Sequence, residues 1–161
     1  MPRGLWSRQC FSIGQTFEKD DKVIAMMLLN EFIKKAHGNL TQERRKYWYD
    51  RGCNDWVLDY FKIGYSLMNK VYIFPYFNAE GNCFFYKAIS VHKKHYWHPA
   101  EGSFIRIFNI QDIKLAREQK KPLYVCEGEP DCIIMKMNKF LCIGISGTNG
   151  FKEEYHDVEV I

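Results

Sequence analysis

The hydrophobic positions of this chain follow two different periods, and the change falls near residue 70. In the first part, apolar residues recur every three or four positions, as they do on one face of an α-helix. The clearest such run, which Gly38 follows, comprises Val23, Ile24, Met27, Leu28 and Phe32. This period predicts a helix over 21–37, a second over about 39–51, and a short third that Asn54 caps and that reaches about Phe61.

The second part of the chain is rich in short apolar runs that predict strands. Residues 71–77 and 83–91 flank a turn that contains Gly81, which predicts a β-hairpin. A basic, aromatic loop over 92–102 and a short strand over 104–108 are predicted next. Helix 111–119, strand 122–126, helix 129–138 and strand 141–145 then alternate, which is typical of βαβ units with a parallel sheet. The predicted fold class is therefore α/β: an α+β N-terminal subdomain followed by a parallel α/β sheet.

The junction between strand 122–126 and the helix after it carries candidate chemistry. Glu127 ends the strand, Gly128 forms a sharp turn, and Asp131 lies in the first turn of the helix. Ligands bind at the carboxyl ends of parallel strands, and carboxylates placed there suit a divalent metal ion. Glu127 and Asp131 are therefore candidate metal ligands, unless they only stabilise the helix N-terminus. Glu129 is expected on the surface.

Basic residues form a second group of candidates. Arg51 ends a predicted helix that is already basic, and Lys87, Lys93 and Lys94 lie on or beside a hairpin rich in Tyr and Trp. Interleaved cations and aromatic rings suit single-stranded nucleic acid, because phosphates are neutralised while bases stack. The alternative for each is a solvated basic surface. The net charge of +4 permits a nucleic-acid partner without requiring one.

Composition limits the remaining classes. The 161 residues, 47% of them apolar, suffice for one domain or slightly more with a real core. The six cysteines contain no C-x-x-C pair, and His92, His95 and His98 are followed by Pro99, so no zinc site is predicted. No signal peptide or membrane-spanning run is evident, and the cysteine usage fits a reducing compartment. A soluble, cytoplasmic protein is therefore expected.

Several blocks along residues 40–161 resemble, in the same order, the catalytic core of bacterial or phage-type DNA primases. The E-G-x-x-D pattern at Glu127–Asp131 resembles the first motif of the TOPRIM domain that these enzymes contain. The preceding and following blocks are Tyr49–Gly52 with Phe61–Ser66, Phe74-Pro75 with Gly81 and Phe85–Lys87, Lys93–Tyr96 with Gly102 and Ile107–Asn109, and Cys142–Ser146 with Gly147–Gly150. This resemblance implies an N-terminal lead-in and helix over 1–38, a basic primase-core subdomain over 39–119, and a partial TOPRIM domain over 120–161.

The resemblance also implies an activity, namely synthesis of short RNA primers on single-stranded DNA from nucleoside triphosphates with Mg²⁺ or Mn²⁺. Glu127 would be the catalytic acid, and a replicative helicase is a further expected partner. The D-x-D metal motif of the family would fall at or beyond Ile161, so the chain alone is expected to be inactive and to self-associate through the truncated sheet. The zinc ribbon that precedes this core in the family has no counterpart in the sequence.

Two alternatives to a primase remain. One is a nucleic-acid-binding module with a degenerate TOPRIM scaffold and no chemistry of its own. The other is a TOPRIM nuclease or topoisomerase, which is disfavoured because the upstream blocks resemble primases.

Overall fold

A computed structural model describes residues 19–90, 96–97 and 107–145 of the chain. In these residues three helices are followed by four strands, after which helices and strands alternate. The elements are α1 (Lys19–Gly38), α2 (Gln42–Tyr49), α3 (Asp55–Tyr60), β1 (Gly64–Ser66), β2 (Val71–Phe77), β3 (Cys83–Ile89), β4 (Tyr96–Trp97), α4 (Gln111–Gln119), β5 (Tyr124–Cys126), α5 (Glu129–Met137) and β6 (Cys142–Gly144). The mixed α/β class is as predicted. Asn54 caps α3 as expected, with its side-chain oxygen accepting from the backbone N–H of Val57 at 3.1 Å.

The first sheet is antiparallel, with the strand order β1-β2-β3-β4. Strand β2 lies inside this sheet and is covered on both faces because its side chains alternate between two cores. Tyr72, Phe74 and Tyr76 belong to the larger of the two clusters of buried apolar residues beside this strand, called the larger core below. Val71 and Ile73 belong to the smaller cluster, which packs toward α1. The β2–β3 hairpin was predicted from the sequence, and its antiparallel pairing is confirmed.

Helix α1 buries a different face from the one that its apolar run suggests. Ile33 and Ala36 are buried against the sheet, whereas Met27 and Leu28 are more than 60% exposed. At its C-terminal end the helix approaches β1 so closely that a β-carbon on Gly64 would lie 2.8 Å from the β-carbon of Ala36. The period thus predicted the helix correctly, but the sheet selects only its last turns for burial.

The second sheet consists of β5 and β6, which pair in parallel as predicted. Helix α5 connects the two strands, and α4 packs nearby through a small core. The residues of that core are Ile107, Ile113, Ala116, Leu123 and Ile143. Phe108 joins this unit to the first sheet, because its backbone bridges to Gly144 while its ring contacts Phe61, Phe74 and Tyr76 at centroid distances of 4.7, 6.5 and 5.3 Å.

The larger core contains residues from both sides of the predicted domain boundary between residues 119 and 120. It combines Trp48, Val57 and Phe74 from the first part with Cys126 and Ile133 from the second. The proposed TOPRIM-like unit therefore rests directly on the antiparallel sheet and the helices α2 and α3. The domain limits at residues 38 and 119 stay predictions.

Two features of the strands differ from the sequence-based prediction. Strand β1 was not predicted, and β4 lies within the segment 92–102 that was expected to be a loop. Phe108, the end of the predicted strand 104–108, forms an isolated bridge. Residues 146–161, which include the block Gly147–Gly150 and the end of the sheet through which self-association was expected, lie outside the described residues. Within those residues, no helix is long and apolar enough to cross a membrane.

Candidate active site

The turn between β5 and α5 presents two carboxylates to the surface. Strand β5 ends at Cys126, Glu127 is exposed, and Gly128 is the extended residue before α5. Pro130 is compatible with the first turn of α5 because its fixed φ suits a helix start and no intrahelical N–H bond is lost there. Asp131 is also exposed, and its Oδ2 lies 3.9 Å from the place that a β-carbon on Gly128 would occupy. The predicted strand, turn and helix are confirmed, while the metal-binding and catalytic roles of Glu127 and Asp131 stay predictions.

The back of this turn is held by close packing against β6. A β-carbon on Gly144 would lie 3.2 Å from the β-carbon of Phe108 and 3.3 Å from the carbonyl oxygen of Gly128. Glycine therefore allows β6 to approach the turn that carries Glu127.

Replacing Gly144 with Ala should lower the free energy of unfolding by roughly 1–3 kcal/mol, because the added methyl group overpacks a rigid contact. Urea unfolding followed by circular dichroism measures this loss. Gly38→Ala is the matched control, since nothing lies within 4 Å of its added β-carbon. Equal destabilisation by the two substitutions would contradict the assigned close approach.

Glu129 is buried, so the expectation that it lies on the surface is wrong. It is 3% exposed, and both of its carboxylate oxygens accept from the Nζ of Lys87 at 2.9 Å. The hydroxyl of Tyr76 donates to the same carboxylate. Glu129, which stands between Glu127 and Asp131 in the sequence, thus connects α5 to the hairpin.

The pairing of β2 with β3 explains how Tyr76 and Lys87 reach one carboxylate. Phe74 pairs with Lys87 and Tyr76 pairs with Phe85, so Tyr76 and Lys87 are diagonal neighbours on one face of the hairpin. That face points into the larger core. A signal in the sequence could have revealed this, because Lys87 stands at an inward position of the strand between Phe85 and Ile89.

The placement of Lys87 bears on its predicted role with nucleic acid. Its side chain is 11% exposed, and its ammonium group is directed at Glu129. A contact of Lys87 with template or nucleotide stays a prediction. Lys93 and Lys94 lie outside the described residues.

A second buried ion pair anchors the other end of α5. The Nζ of Lys136 donates to Asp112 of α4 at 2.6 and 2.8 Å, and Asp112 also accepts from the backbone N–H of Cys142 at 3.0 Å. Burial lowers the pKa of Lys136, but the bonds to Asp112 outweigh that effect, so the net shift is upward. Helix α5 is therefore tied at its start to β3 and at its end to α4.

Arg51 lies at the end of the α2 region and belongs to a cluster of cations and aromatic rings. Its guanidinium group lies 3.6 Å from the centroid of Tyr47, which stacks on Tyr72 at 4.9 Å. Arg44 lies 4.7 Å from the centroid of Tyr65. Burial raises the pKa of Tyr72 to about 12, so its hydroxyl remains a neutral donor to a backbone carbonyl near neutral pH. Nucleic-acid binding by Arg51 stays a prediction.

Three buried cysteines lie behind the turn that carries Glu127. The Sγ atoms of Cys132 and Cys142 are 3.5 Å apart, and Cys126 ends β5 beside them. Hydrogen bonds with Cys126 and Cys142, together with burial, raise the pKa of Cys132. Hydrogen bonds with Cys132 and Cys142 lower the pKa of Cys126 to about 4, so the three thiols differ in character although all three lie in the core.

The donor chemistry of the turn fits a hard divalent cation. Glu127 and Asp131 supply carboxylate oxygens, which Mg²⁺ and Mn²⁺ prefer. Among residues 23–90 and 107–145, no group of three or more His, Cys, Asp or Glu side chains is arranged to hold a metal ion. A bound ion would therefore need further ligands from water, nucleotide phosphates or other parts of the protein.

Comparison with families and with curated proteins gives no match. Solved structures do match the fold. The RNA polymerase domain of Mycobacterium tuberculosis primase DnaG has a TM-score of 0.67 at 13% identity, over 87% of this chain and 60% of that one. A DnaG primase catalytic domain bound to ssDNA has a TM-score of 0.66 at 14% identity, and the match covers 80% of this chain and 57% of that one. The E. coli primase catalytic core has a TM-score of 0.62 at 14% identity, and the match covers 77% of this chain and 55% of that one.

These similarities concern the fold, because the identities are low. The chain spans little more than half the length of the solved structures that it matches. The chain has the mixed α/β fold of DnaG-type primase catalytic cores.

Proposed function

We propose that this chain forms part of a DNA primase, an enzyme that joins ribonucleotides into short primers on a single-stranded DNA template. The observation that carries the proposal is the pair of exposed carboxylates, Glu127 and Asp131, at the end of β5 within a primase-type fold. Strand ends of this kind are where α/β proteins bind ligands. Fold similarity alone would leave many functions open, so the geometry of this turn is the stronger support.

The proposed chemistry assigns the two carboxylates to a metal ion. Glu127 and Asp131 would hold Mg²⁺ or Mn²⁺ through their oxygens. When bound, such an ion would neutralise triphosphate charge and activate the attacking 3′-hydroxyl. Because both side chains are exposed and Gly128 carries no side chain, substrate phosphates can approach the turn.

The proposed template contacts lie on the cationic and aromatic cluster that includes Arg51. Arg44 and Arg51 supply positive charge beside Tyr47 and Tyr65, a combination that suits phosphates and stacked bases. Three of the similar primase structures were solved with DNA: one with single-stranded DNA, one with double-stranded DNA that has an overhang, and one with double-stranded DNA. This supports a nucleic-acid partner for the present chain.

A second candidate function is nucleic-acid binding without catalysis. The observation that favours it is that the described residues contribute only two carboxylates to the turn and no group of three metal-binding side chains. A nuclease or topoisomerase has less support, because the similar structures described above are primase cores.

The proposal predicts template-dependent RNA synthesis by the full-length protein. Single-stranded DNA, the four ribonucleoside triphosphates and Mg²⁺ or Mn²⁺ should give short labelled RNA products, which chelation of the metal should abolish. Gel separation of the products measures the yield. Omission of the template is the control, and fluorescence anisotropy with labelled DNA at several salt concentrations measures binding separately. Salt-sensitive binding without synthesis under all metal conditions would favour the non-catalytic module.

A further inference from the structure

The buried pair Lys87–Glu129 lies at the start of α5, and Glu129 stands between the two exposed carboxylates, Glu127 and Asp131, in the sequence. We propose that this pair is a positioning device: it sets the rotation of α5 and the path of the Gly128 turn, and thereby aims Glu127 and Asp131. The inference rests on the proposed function, because it concerns the same site. It assigns a structural role to Glu129, which occupies a position that the E-G-x-x-D pattern does not specify.

Helix geometry shows how one buried residue can orient an exposed one. Successive residues of an α-helix are about 100° apart around the axis, so Glu129 and Asp131 are separated by about 200°. Glu129 points into the core and Asp131 is exposed, as this separation requires. Fixing the carboxylate of Glu129 therefore fixes the direction in which Asp131 leaves the helix.

The contacts of Glu129 are directional as well as buried. Both oxygens accept from the ammonium group of Lys87 at 2.9 Å, and the hydroxyl of Tyr76 donates to the same carboxylate. These two partners lie on adjacent strands of a sheet, which is a rigid support. Gly128, just before α5, has no side chain to restrain the turn, so Glu129 supplies a restraint that the local backbone lacks.

A buried ion pair is a poor device for stability and a suitable one for geometry. Desolvation of the two charges offsets much of their attraction, so apolar residues of the same volume would stabilise the fold as well or better. Supporting residues of this kind typically change the affinity of a metal site by 10- to 100-fold when they are replaced. Lys136–Asp112 at the other end of α5 offers a matched comparison, since it is equally buried but remote in sequence from the turn.

The simplest competing explanation is that the pair acts through its charges alone. If so, Lys87→Met would leave an extra negative charge near the site and raise the affinity for a cation. Glu129→Gln would leave an extra positive charge and lower the affinity, and the double variant would restore it. A positioning role predicts the same direction for both substitutions.

The test is Mn²⁺ binding to the full-length protein, measured by electron paramagnetic resonance of the free ion. Lys87→Met, Glu129→Gln and the double variant should each weaken Mn²⁺ binding by about 10-fold. Lys136→Met and Asp112→Asn should change it by less than about twofold after correction for the folded fraction, as both lie at the far end of α5. Lys87→Arg, which keeps the charge and the donors, should retain most of the affinity.

Folding is followed by near-ultraviolet circular dichroism in every variant. Glu129→Asp keeps the charge but shortens the side chain, and it serves as the second variant if Lys87→Met does not fold. It should weaken Mn²⁺ binding in a folded protein. Unchanged affinity in Glu129→Asp and Glu129→Gln would overturn the inference, as would opposite effects of Lys87→Met and Glu129→Gln or an equal loss in the Lys136 and Asp112 controls.

The outcomes also separate this inference from the proposed function. Mn²⁺ binding that depends on Lys87 and Glu129, without primer synthesis by the unchanged protein, would support the inference and reject the primase proposal. Primer synthesis by the unchanged protein, together with Mn²⁺ binding that the substitutions of Lys87 and Glu129 leave unchanged, would support the primase proposal and reject the inference. Absence of Mn²⁺ binding by the unchanged protein would overturn both.

Discussion

In the full-length protein, Glu127→Gln is expected to lower primer synthesis by about 10³-fold, the loss typical of removing one preorganised charged or polar group from a reaction centre. The side chain is exposed at the end of β5, so the substitution removes a charge without leaving a buried unpaired group. The free energy of unfolding should therefore stay within about 0.5 kcal/mol of the original value. Synthesis on a single-stranded template, measured at saturating metal and nucleotide, gives the loss.

The matched control for this variant is Glu118→Gln. Glu118 is also an exposed glutamate, but it lies on α4 and makes a surface contact with Lys114 at 3.7 Å. Its replacement should leave synthesis unchanged. Full synthesis by Glu127→Gln would remove this carboxylate from the metal site and would require the chemistry to be built elsewhere.

The largest expected effect on stability is that of Lys136→Met, which should lower the free energy of unfolding by about 3–5 kcal/mol. The substitution leaves Asp112, which is 0% exposed, without its cation in the core between α4, α5 and β6. Urea unfolding measures the loss. The double variant Lys136→Met/Asp112→Asn should recover most of it, because the Asn oxygen can still accept from the backbone N–H of Cys142.

The pH dependence of the same pair has a defined sign. The folded protein raises the pKa of Lys136 above the ordinary value of 10.5. The contribution of the Lys136–Asp112 pair to the free energy of unfolding is therefore fully present below pH 10.5. It should be lost as the pH rises through the higher pKa of the folded state. The assigned pairing would be contradicted if Lys136→Met lowered the free energy of unfolding by the same amount at neutral pH and at a pH well above the folded-state pKa of Lys136. Lys114→Met, whose exposed ammonium lies at a surface pair, is the control.

Much of the fold was predictable because it depends on local spacing. The period of apolar residues located α1, α4, α5 and the β2–β3 hairpin, since side chains repeat every three to four residues on a helix face and every second residue on a strand face. The alternation of strands and helices after residue 120 indicated the parallel pairing of β5 with β6. Short elements were missed, because a few residues such as Gly64–Ser66 give too little periodicity to predict a strand.

The candidate site was only partly predictable. The sequence determined that Glu127 and Asp131 flank a glycine turn where a strand meets a helix, because strand, glycine and helix signals are all local. The sequence did not indicate which of the charged residues near this turn are buried. Glu129 was expected on the surface, and the burial of Lys87 was not predicted, because it depends on how the hairpin and α5 pack against each other.

The sequence by itself thus determined most of the elements, their order and the turn that presents Glu127. Only the tertiary structure decided that α1 buries its last turns, that one core joins the sheet to the β5–α5–β6 unit, and that Lys87 and Glu129 pair inside it. The physical reason is that a backbone conformation depends on neighbouring residues, whereas burial and ion pairing depend on surfaces from distant elements. Lys87 and Glu129 are 42 positions apart, and their opposite charges offset part of the cost of burying each of them in the core.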